Sequence, residues 1–300
     1  MPVTYKTHYN PCFWTAYWNE EYLNQIENAQ SATKHFSARE QKVYCLKPQT
    51  NRAFIQKTDK IFYEEGTGLS YMDDEEILDF TKRNFPDQYE EILKYLSDNG
   101  DGIFMLDFEN VFTGLENLVK DYLTKVNVDK VIATTEEKTH LSMFIFLQHM
   151  RNPTVINPMI QSFIQDKYPR FEFFVNFRHF IEDRNALLRA IFPIITSKWT
   201  LYVCDENTFP LCDTSVLRDK NTIFFPLSPK MLLEVDLGKV DHRQLQCNVK
   251  YSIGFSKYYD FEKLMIRNFN EYIIFPSFEK LEILRQSQLY KDRVKFLQNE

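Results

Sequence analysis

The chain has 300 residues, a formal net charge of −6 and ordinary shares of hydrophobic (44%) and charged (26%) residues. This composition excludes a disordered, collagen-like or coiled-coil protein. Only 7 residues are glycine, so few positions let the backbone wrap closely around a phosphate, which argues against dinucleotide-binding and P-loop folds. Because the net charge is acidic, a nucleic acid would have to be held by a local basic cluster.

The first predicted elements form a small β-unit. Residues 1–40 are rich in aromatic side chains and end in a polar run with helical character. Two runs of β-branched and aromatic residues, 42–46 and 52–56, predict paired strands across a polar turn. A short apolar run at 61–63 closes this unit.

From residue 73 the pattern becomes helical. Asp73 or Asp74 can cap a helix that runs to Arg83, with acidic residues in its first turn. Pro86 can start the next helix, because proline is tolerated at the first helical position. The run 107–126 carries an apolar stripe with helical spacing and predicts a third helix.

The helical pattern continues through the middle of the chain. Thr134 and Glu137 have the spacing of a capping box and predict a helix to about Asn152. Pro153 interrupts it, and a further helix follows. The segment 170–192 completes a mainly helical middle.

After the helical middle the pattern turns to strands, and an amphipathic helix at 277–297 closes the chain. We therefore predict a single α+β domain over 1–300, in which 70–195 is mainly helical. The N- and C-terminal strands would form a small mixed or antiparallel sheet. A division near residues 70 and 195 is the alternative. The predicted late strands are 199–203, 222–225, 231–235 and 271–275.

The cysteines and the hydropathy pattern predict a cytoplasmic protein. The five cysteines are scattered and contain no C-x-x-C pair, so we expect reduced thiols. The first residues lack an apolar signal region, and no run reaches the ~18 apolar residues that span a bilayer. We expect no membrane partner, no cofactor and no metal, since the six histidines show no zinc-ligand spacing. The oligomeric state is left open.

Four local sequences stand out, and their order and spacing resemble domain-of-unknown-function family 4238. That family carries a His-aromatic-x-Pro element, a Gln-x-x-Arg-x-Pro helix, a Trp strand leading to a Thr-Ser-Asp-x-Pro-Val turn, and a Pro-Leu-Ser-Pro strand end. The corresponding segments here are 7–14, 146–153, 199–202 with 209–216, and 225–229.

Two positions depart from the family pattern. Cys212 stands where the family has the serine before the aspartate, and Ser215 stands where it has the proline before valine. The family name itself states that no activity is established. The resemblance therefore implies a site but no reaction.

Three residues of these segments are candidate catalytic groups. His8 is a natural proton carrier, because the ordinary pKa of histidine is about 6.5. Arg151 offers a planar fork suited to carboxylate or phosphate, and Asp213 follows a strand in a turn that can face a cleft. Each of the three residues also has a structural alternative. His8 could be a hydrogen-bonded histidine that holds the N-terminal segment to the core. Arg151 could form an internal salt bridge, for which Asp213 is one candidate partner, and Asp213 could form an Asx-turn or a helix cap.

Two further residues are candidate substrate-binding groups. Gln148 shares a helix face with Arg151, three residues on. Ser228 lies between prolines, where its hydroxyl either contacts a substrate or shapes the turn. Cys212 could serve as a nucleophile beside His8, or it could be inert packing on an apolar strand.

Two functions follow from these residues. The first is metal-independent acid–base hydrolysis of a phosphodiester, as in a nuclease-like effector, with Arg151 holding the phosphate. A two-metal mechanism is disfavoured because the sequence lacks clustered carboxylates. The second is a non-catalytic ligand-binding, sensing or protein-interaction module. The expected partners are a nucleic acid or a small anionic ligand.

Overall fold

A computed structural model describes residues 6–28, 37–65, 69–99, 104–107, 109–162, 167–240 and 247–299. The strands are β1 (Lys6–His8), β2 (Lys42–Lys47), β3 (Arg52–Lys57), β4 (Tyr63–Glu65), β5 (Leu69–Met72), β6 (Phe104–Asp107), β7 (Ser197–Val203), β8 (Leu211–Cys212), β9 (Leu217–Asp219), β10 (Thr222–Ser228), β11 (Met231–Val240), β12 (Asn248–Lys250) and β13 (Ile273–Phe275).

Helices fill the middle and the end of the chain, so the predicted α+β class is confirmed. They are α1 (Cys12–Thr15), α2 (Glu20–Glu27), α3 (Asp74–Asn84), α4 (Tyr89–Asn99), α5 (Glu109–Asp129), α6 (Thr135–Arg151), α7 (Pro153–Ser162), α8 (Pro169–Glu182), α9 (Arg184–Ile195), α10 (Phe255–Asn268), α11 (Phe278–Gln286) and α12 (Gln288–Asn299).

The chain divides into two compact units. The first contains residues 1–7, 64–114 and 153–187, and the second contains 8–63, 115–152 and 188–300. Whether they behave as the single domain expected from the sequence stays a prediction.

The second unit contains a five-stranded sheet in the order β12–β7–β11–β10–β9. All neighbours are antiparallel except β12, which runs parallel to β7. Strands β7 and β10 are largely buried and rich in β-branched and aromatic residues, as expected for the centre of a sheet. Strand β11 lies between them and buries Met231, Leu232, Leu233 and Val235. Trp14, Trp199, Phe225 and Leu233 lie together in the core on this sheet.

A four-stranded sheet in the same unit has the order β3–β2–β13–β8. It is antiparallel and joins strands from both ends of the chain: Cys45 pairs with Phe54 on one side and with Ile274 on the other. The predicted sheet of N- and C-terminal strands is therefore confirmed.

The first unit combines α3, α4, α7 and α8 with the strand pair β5–β6. Its core contains Met72, Ile77, Phe80 and Phe171. Helix α3 begins with the predicted cap: the Asp73 carboxylate accepts a 2.8 Å hydrogen bond from the backbone N–H of Glu76.

The structure differs from the predicted elements in several places. Strands β1, β5, β6, β8, β9 and β12 and helices α1 and α10 were not predicted. The run 170–192 is two helices, α8 and α9, and the run 277–297 is also two, α11 and α12. Both breaks fall on N-cap residues: Asp183 accepts from the N–H of Ala186, and Ser287 accepts from the N–H of Tyr290.

Candidate functional site

His8 and Cys12 form the first part of a polar cluster in the second unit. Strand β1 ends at His8, and Pro11 starts the short helix α1 whose first residue is Cys12. The Cys12 Sγ atom lies 3.7 Å from both ring nitrogens of His8. His8 is half-buried, so its imidazole keeps contact with solvent.

Glu116 and Arg151 form the second part of the cluster. Arg151 is the last residue of α6, and its guanidinium makes a salt bridge to the carboxylate of Glu116 on α5. The Arg151 side chain is only 2% exposed, whereas the Glu116 side chain is 20% exposed. The internal salt bridge left open by the sequence is thus present, and the ion pair presents a carboxylate to solvent.

The electrostatics of Cys12 connect these two parts. Burial is the main cause that raises the pKa of the Cys12 thiol to about 11; the charge of Arg39 lowers it, and the charges of Asp59 and Glu116 raise it. Coulomb interactions weaken with distance. The charges of Arg39 and Glu116 therefore reach the thiol that His8 contacts.

Asp213 makes different contacts from this cluster. Its carboxylate accepts two hydrogen bonds, of 2.9 and 3.1 Å, from the backbone N–H of Asn270. Burial raises the pKa of Asp213 to about 7, although the Asn270 hydrogen bonds oppose the shift. These contacts fit a carboxyl that fixes the segment before β13.

Two asparagines that the sequence analysis did not single out join the motif segments. Asn10 Nδ2 donates a 3.0 Å hydrogen bond to the carbonyl of Cys212, and Asn152 Nδ2 donates a 3.3 Å bond to the carbonyl of Asp213. The segments containing His8 and Arg151 therefore both attach to the 212–213 turn. Hydrogen bonds from side chains to the backbone therefore connect three of the four motif segments.

The fourth motif segment joins them through aromatic packing. The Trp14 ring stacks on Phe225 at a centroid distance of 4.8 Å, and its Nε1 donates to the carbonyl of Leu227. Ser228 follows directly and is fully buried. The four segments quoted from the sequence are therefore neighbours in the second unit.

Gln148 and Ser228 lie inside the protein. Gln148 Oε1 and Ser228 Oγ are buried and accept no hydrogen bond from any described residue. A buried polar atom without a partner is costly and has a structural or functional reason. Their predicted role in substrate binding stays a prediction.

Neither Cys212, the candidate nucleophile, nor Cys12 resembles an activated thiol. Burial raises the pKa of Cys212 well above its ordinary value, and Cys12 shifts in the same direction. Only the thiolate is nucleophilic, so a raised pKa keeps both sulfurs in the inert form at neutral pH.

Sequence reasoning missed Arg39 and Glu116. Arg39 is an exposed residue in a short 3₁₀ turn at Ala38–Glu40, and Glu116 lies on a helix with many carboxylates. Nothing local distinguishes Glu116 from Asp121 on the same helix. Only the tertiary contact with Arg151 singles it out.

A family model with the description "Protein of unknown function (DUF4238)" matches residues 22–285. The chain belongs to this family, and the resemblance noted in the sequence is confirmed. The segment 7–14 precedes the matched region. No curated protein and no solved structure matches the chain.

Two further findings concern the described residues as a whole. None of their helices is both long and apolar enough to cross a membrane. No three of their His, Cys, Asp and Glu side chains are grouped so that they could hold a metal ion.

Proposed function

We propose that the cluster of His8, Arg39, Glu116 and Arg151 cleaves RNA phosphodiesters by acid–base catalysis without a metal ion. The observation that carries the proposal is the contact of the His8 imidazole with Cys12, a thiol on which the charge of Glu116 also acts. Cys12 Sγ lies 3.7 Å from both His8 nitrogens, and the Glu116 charge acts on the same thiol.

Each group has a role in this reaction. Glu116 takes the proton of the ribose 2′-hydroxyl, whose oxygen attacks the adjacent phosphorus. The bond from phosphorus to the 5′-oxygen breaks, and His8 donates a proton to that leaving oxygen. The products are a 2′,3′-cyclic phosphate and a free 5′-hydroxyl. A carboxylate base and an imidazolium acid supply both proton transfers, typically worth about 10²–10⁴ in rate.

The two arginines have separate roles. Arg39 is exposed and makes no ion pair with another described residue, so its guanidinium is available to a phosphate. Arg151 is buried against Glu116 and acts as a positioning residue that orients the carboxylate. The sequence suggested Arg151 as the phosphate-binding residue, whereas this proposal assigns that role to Arg39.

The test is cleavage of single-stranded RNA by the purified protein with EDTA present. We expect His8→Ala and Glu116→Gln each to lower kcat/KM by about 10²–10⁴, since each removes one proton transfer. Arg39→Ala should raise KM. The matched control is His179→Ala, an exposed histidine of the first unit. DNA lacks the 2′-hydroxyl and should stay intact.

Two results would count against this function. Equal residual cleavage by wild type and by His8→Ala would exclude His8 as the acid. RNA binding without any cleavage by the wild type would favour the non-catalytic ligand-binding module instead. Circular dichroism of each variant checks that a loss of activity is not a loss of folding.

A further inference from the structure

A concave surface lies in the second unit between α10, α11 and residues 207–210. Its cavity volume is about 560 Å³, which falls within the range of small-molecule sites. Most of its lining is apolar. The apolar lining residues are Pro210, Ile253, Phe255, Phe275, Ile283 and Leu284.

One carboxylate lies within this apolar lining. Glu262 is half-buried and lies one helical turn after Tyr258 on α10, and both side chains line the cavity. Burial raises the pKa of Glu262, and no cationic side chain of the described residues offsets that shift. A carboxylate in such surroundings is stabilised by a ligand that brings a positive charge and a donor.

The cationic residue of the lining is already engaged. Lys280 Nζ donates to the carbonyl of Asn207 and lies 3.9 Å from the Glu206 carboxylate. It also lies 5.5 Å from the centre of the Phe275 ring. The ammonium group of Lys280 thus has partners within the protein, and Glu262 is the acidic group of the cavity lining.

The rim of the cavity exposes large apolar side chains. Phe255 is 85% exposed and stacks on Tyr259 at a centroid distance of 6.4 Å, while Ile283 is 63% exposed. Large apolar groups exposed around a concavity mark binding surfaces more often than isolated ones do. A bound apolar molecule would remove these side chains from water.

We propose that this cavity binds a small aromatic or aliphatic molecule that carries a protonated amine. The apolar body contacts Ile253, Leu284 and the ring of Phe255, and the amine donates to the Glu262 carboxylate. This site uses none of the residues assigned to RNA cleavage, so the two proposals stand or fall separately.

Isothermal titration calorimetry with tryptamine and with indole-3-propionate tests the proposal, because the probes share a ring and differ in charge. We expect tryptamine to bind the full-length protein at millimolar concentration and indole-3-propionate to bind at least about tenfold more weakly, as for a hydrogen bond to a charged group. Glu262→Gln should weaken tryptamine binding by a similar factor and leave indole-3-propionate unchanged or tighter.

Glu279→Gln is the matched control, because Glu279 is an exposed carboxylate on the neighbouring helix α11 and does not line the cavity. It should leave both affinities unchanged. Absence of tryptamine binding, equal binding of the two probes, or equal effects of the two substitutions would each overturn the proposal. RNA cleavage by the Glu262→Gln variant should match the wild type, which separates this site from the catalytic cluster.

Discussion

At the scale of single residues, the carboxyl groups of Glu116 and Asp213 lie in different environments. The Glu116 carboxylate has the guanidinium of Arg151 as its partner and remains partly exposed. The Asp213 carboxylate has two hydrogen bonds from a backbone N–H, and burial outweighs them, so its pKa rises to about 7. Burial without a charged partner favours the protonated acid at Asp213.

Asp213 should make the stability of the second unit depend on pH. Between about pH 4 and 7 the carboxyl ionises in the unfolded chain but stays protonated in the folded one, so the folded state binds more protons. The free energy of unfolding therefore falls as pH rises through this window, by at most about 4 kcal/mol. Urea unfolding of wild type and Asp213→Asn across this range measures the effect.

In the Asp213→Asn variant, the free energy of unfolding should fall much less between about pH 4 and 7 than it does in the wild type. The matched control is Asp219→Asn, since Asp219 is exposed at the end of β9. Tryptophan fluorescence suits the measurement because Trp14, Trp18 and Trp199 all lie in the second unit. Parallel pH profiles of wild type and Asp213→Asn would show that the carboxyl is ionised in the folded protein.

At the scale of elements, the start of α6 shows a cap joined to an ion pair. Thr134 Oγ1 accepts from the N–H of Glu137, and Glu137 Oε2 accepts from the N–H groups of Ala133 and Thr134. The other Glu137 oxygen lies 2.6 Å from Lys125 Nζ. This is the capping box predicted from the sequence, and it sets the start of the helix that ends at Arg151.

Substitutions at this cap should differ in their cost. Thr134→Ala removes one cap bond and should lower the free energy of unfolding by about 1 kcal/mol. Glu137→Ala removes both reciprocal bonds and the partner of Lys125, and should cost about 2–3 kcal/mol. Urea unfolding measures both, with exposed Glu136→Ala as the control on the same turn. If Glu136→Ala and Glu137→Ala lowered the free energy of unfolding by the same amount, the capping box would be contradicted.

The starts of the helices that carry cap signals were predictable from local sequence. Asp73 and Thr134 mark helix starts because their side chains bond backbone atoms only a few residues away. The breaks at Asp183 and Ser287 use the same chemistry, but each falls inside a continuous apolar pattern that was interpreted as a single helix. Strand β6 depends on pairing with β5, which local sequence does not specify.

At the scale of the molecule, the candidate site was predictable only in part. His8 contacts Cys12, and Arg151 pairs with Glu116, whose charge acts on that thiol. Residue type alone marked these two as a proton carrier and a charged fork, and their catalytic role stays a prediction. Glu116 is singled out by its salt bridge to Arg151, and Arg39 by the effect of its charge on Cys12. Both effects depend on how distant segments pack, and no local pattern in one sequence encodes them.

The N-terminal segment is attached to the large sheet of the second unit by Trp14. This side chain is fully buried, donates a 3.3 Å hydrogen bond to the carbonyl of Leu227 and stacks on Phe225. It also meets Phe144 of α6 edge-on at 5.5 Å. One indole thus joins the segment that carries His8 to the helix that carries Arg151.

Trp14→Phe should destabilise the second unit without removing the aromatic contact. The smaller ring leaves a cavity and an unsatisfied Leu227 carbonyl, which together cost about 2–4 kcal/mol. Tyr251→Phe, at an aromatic residue that is 78% exposed, should change stability by less than about 0.5 kcal/mol. Urea unfolding followed by the fluorescence of Trp18 and Trp199 compares the two. A cost for Trp14→Phe as small as that of the control would mean that the N-terminal segment contributes little to the fold, and a site that depends on His8 would then lack a fixed geometry.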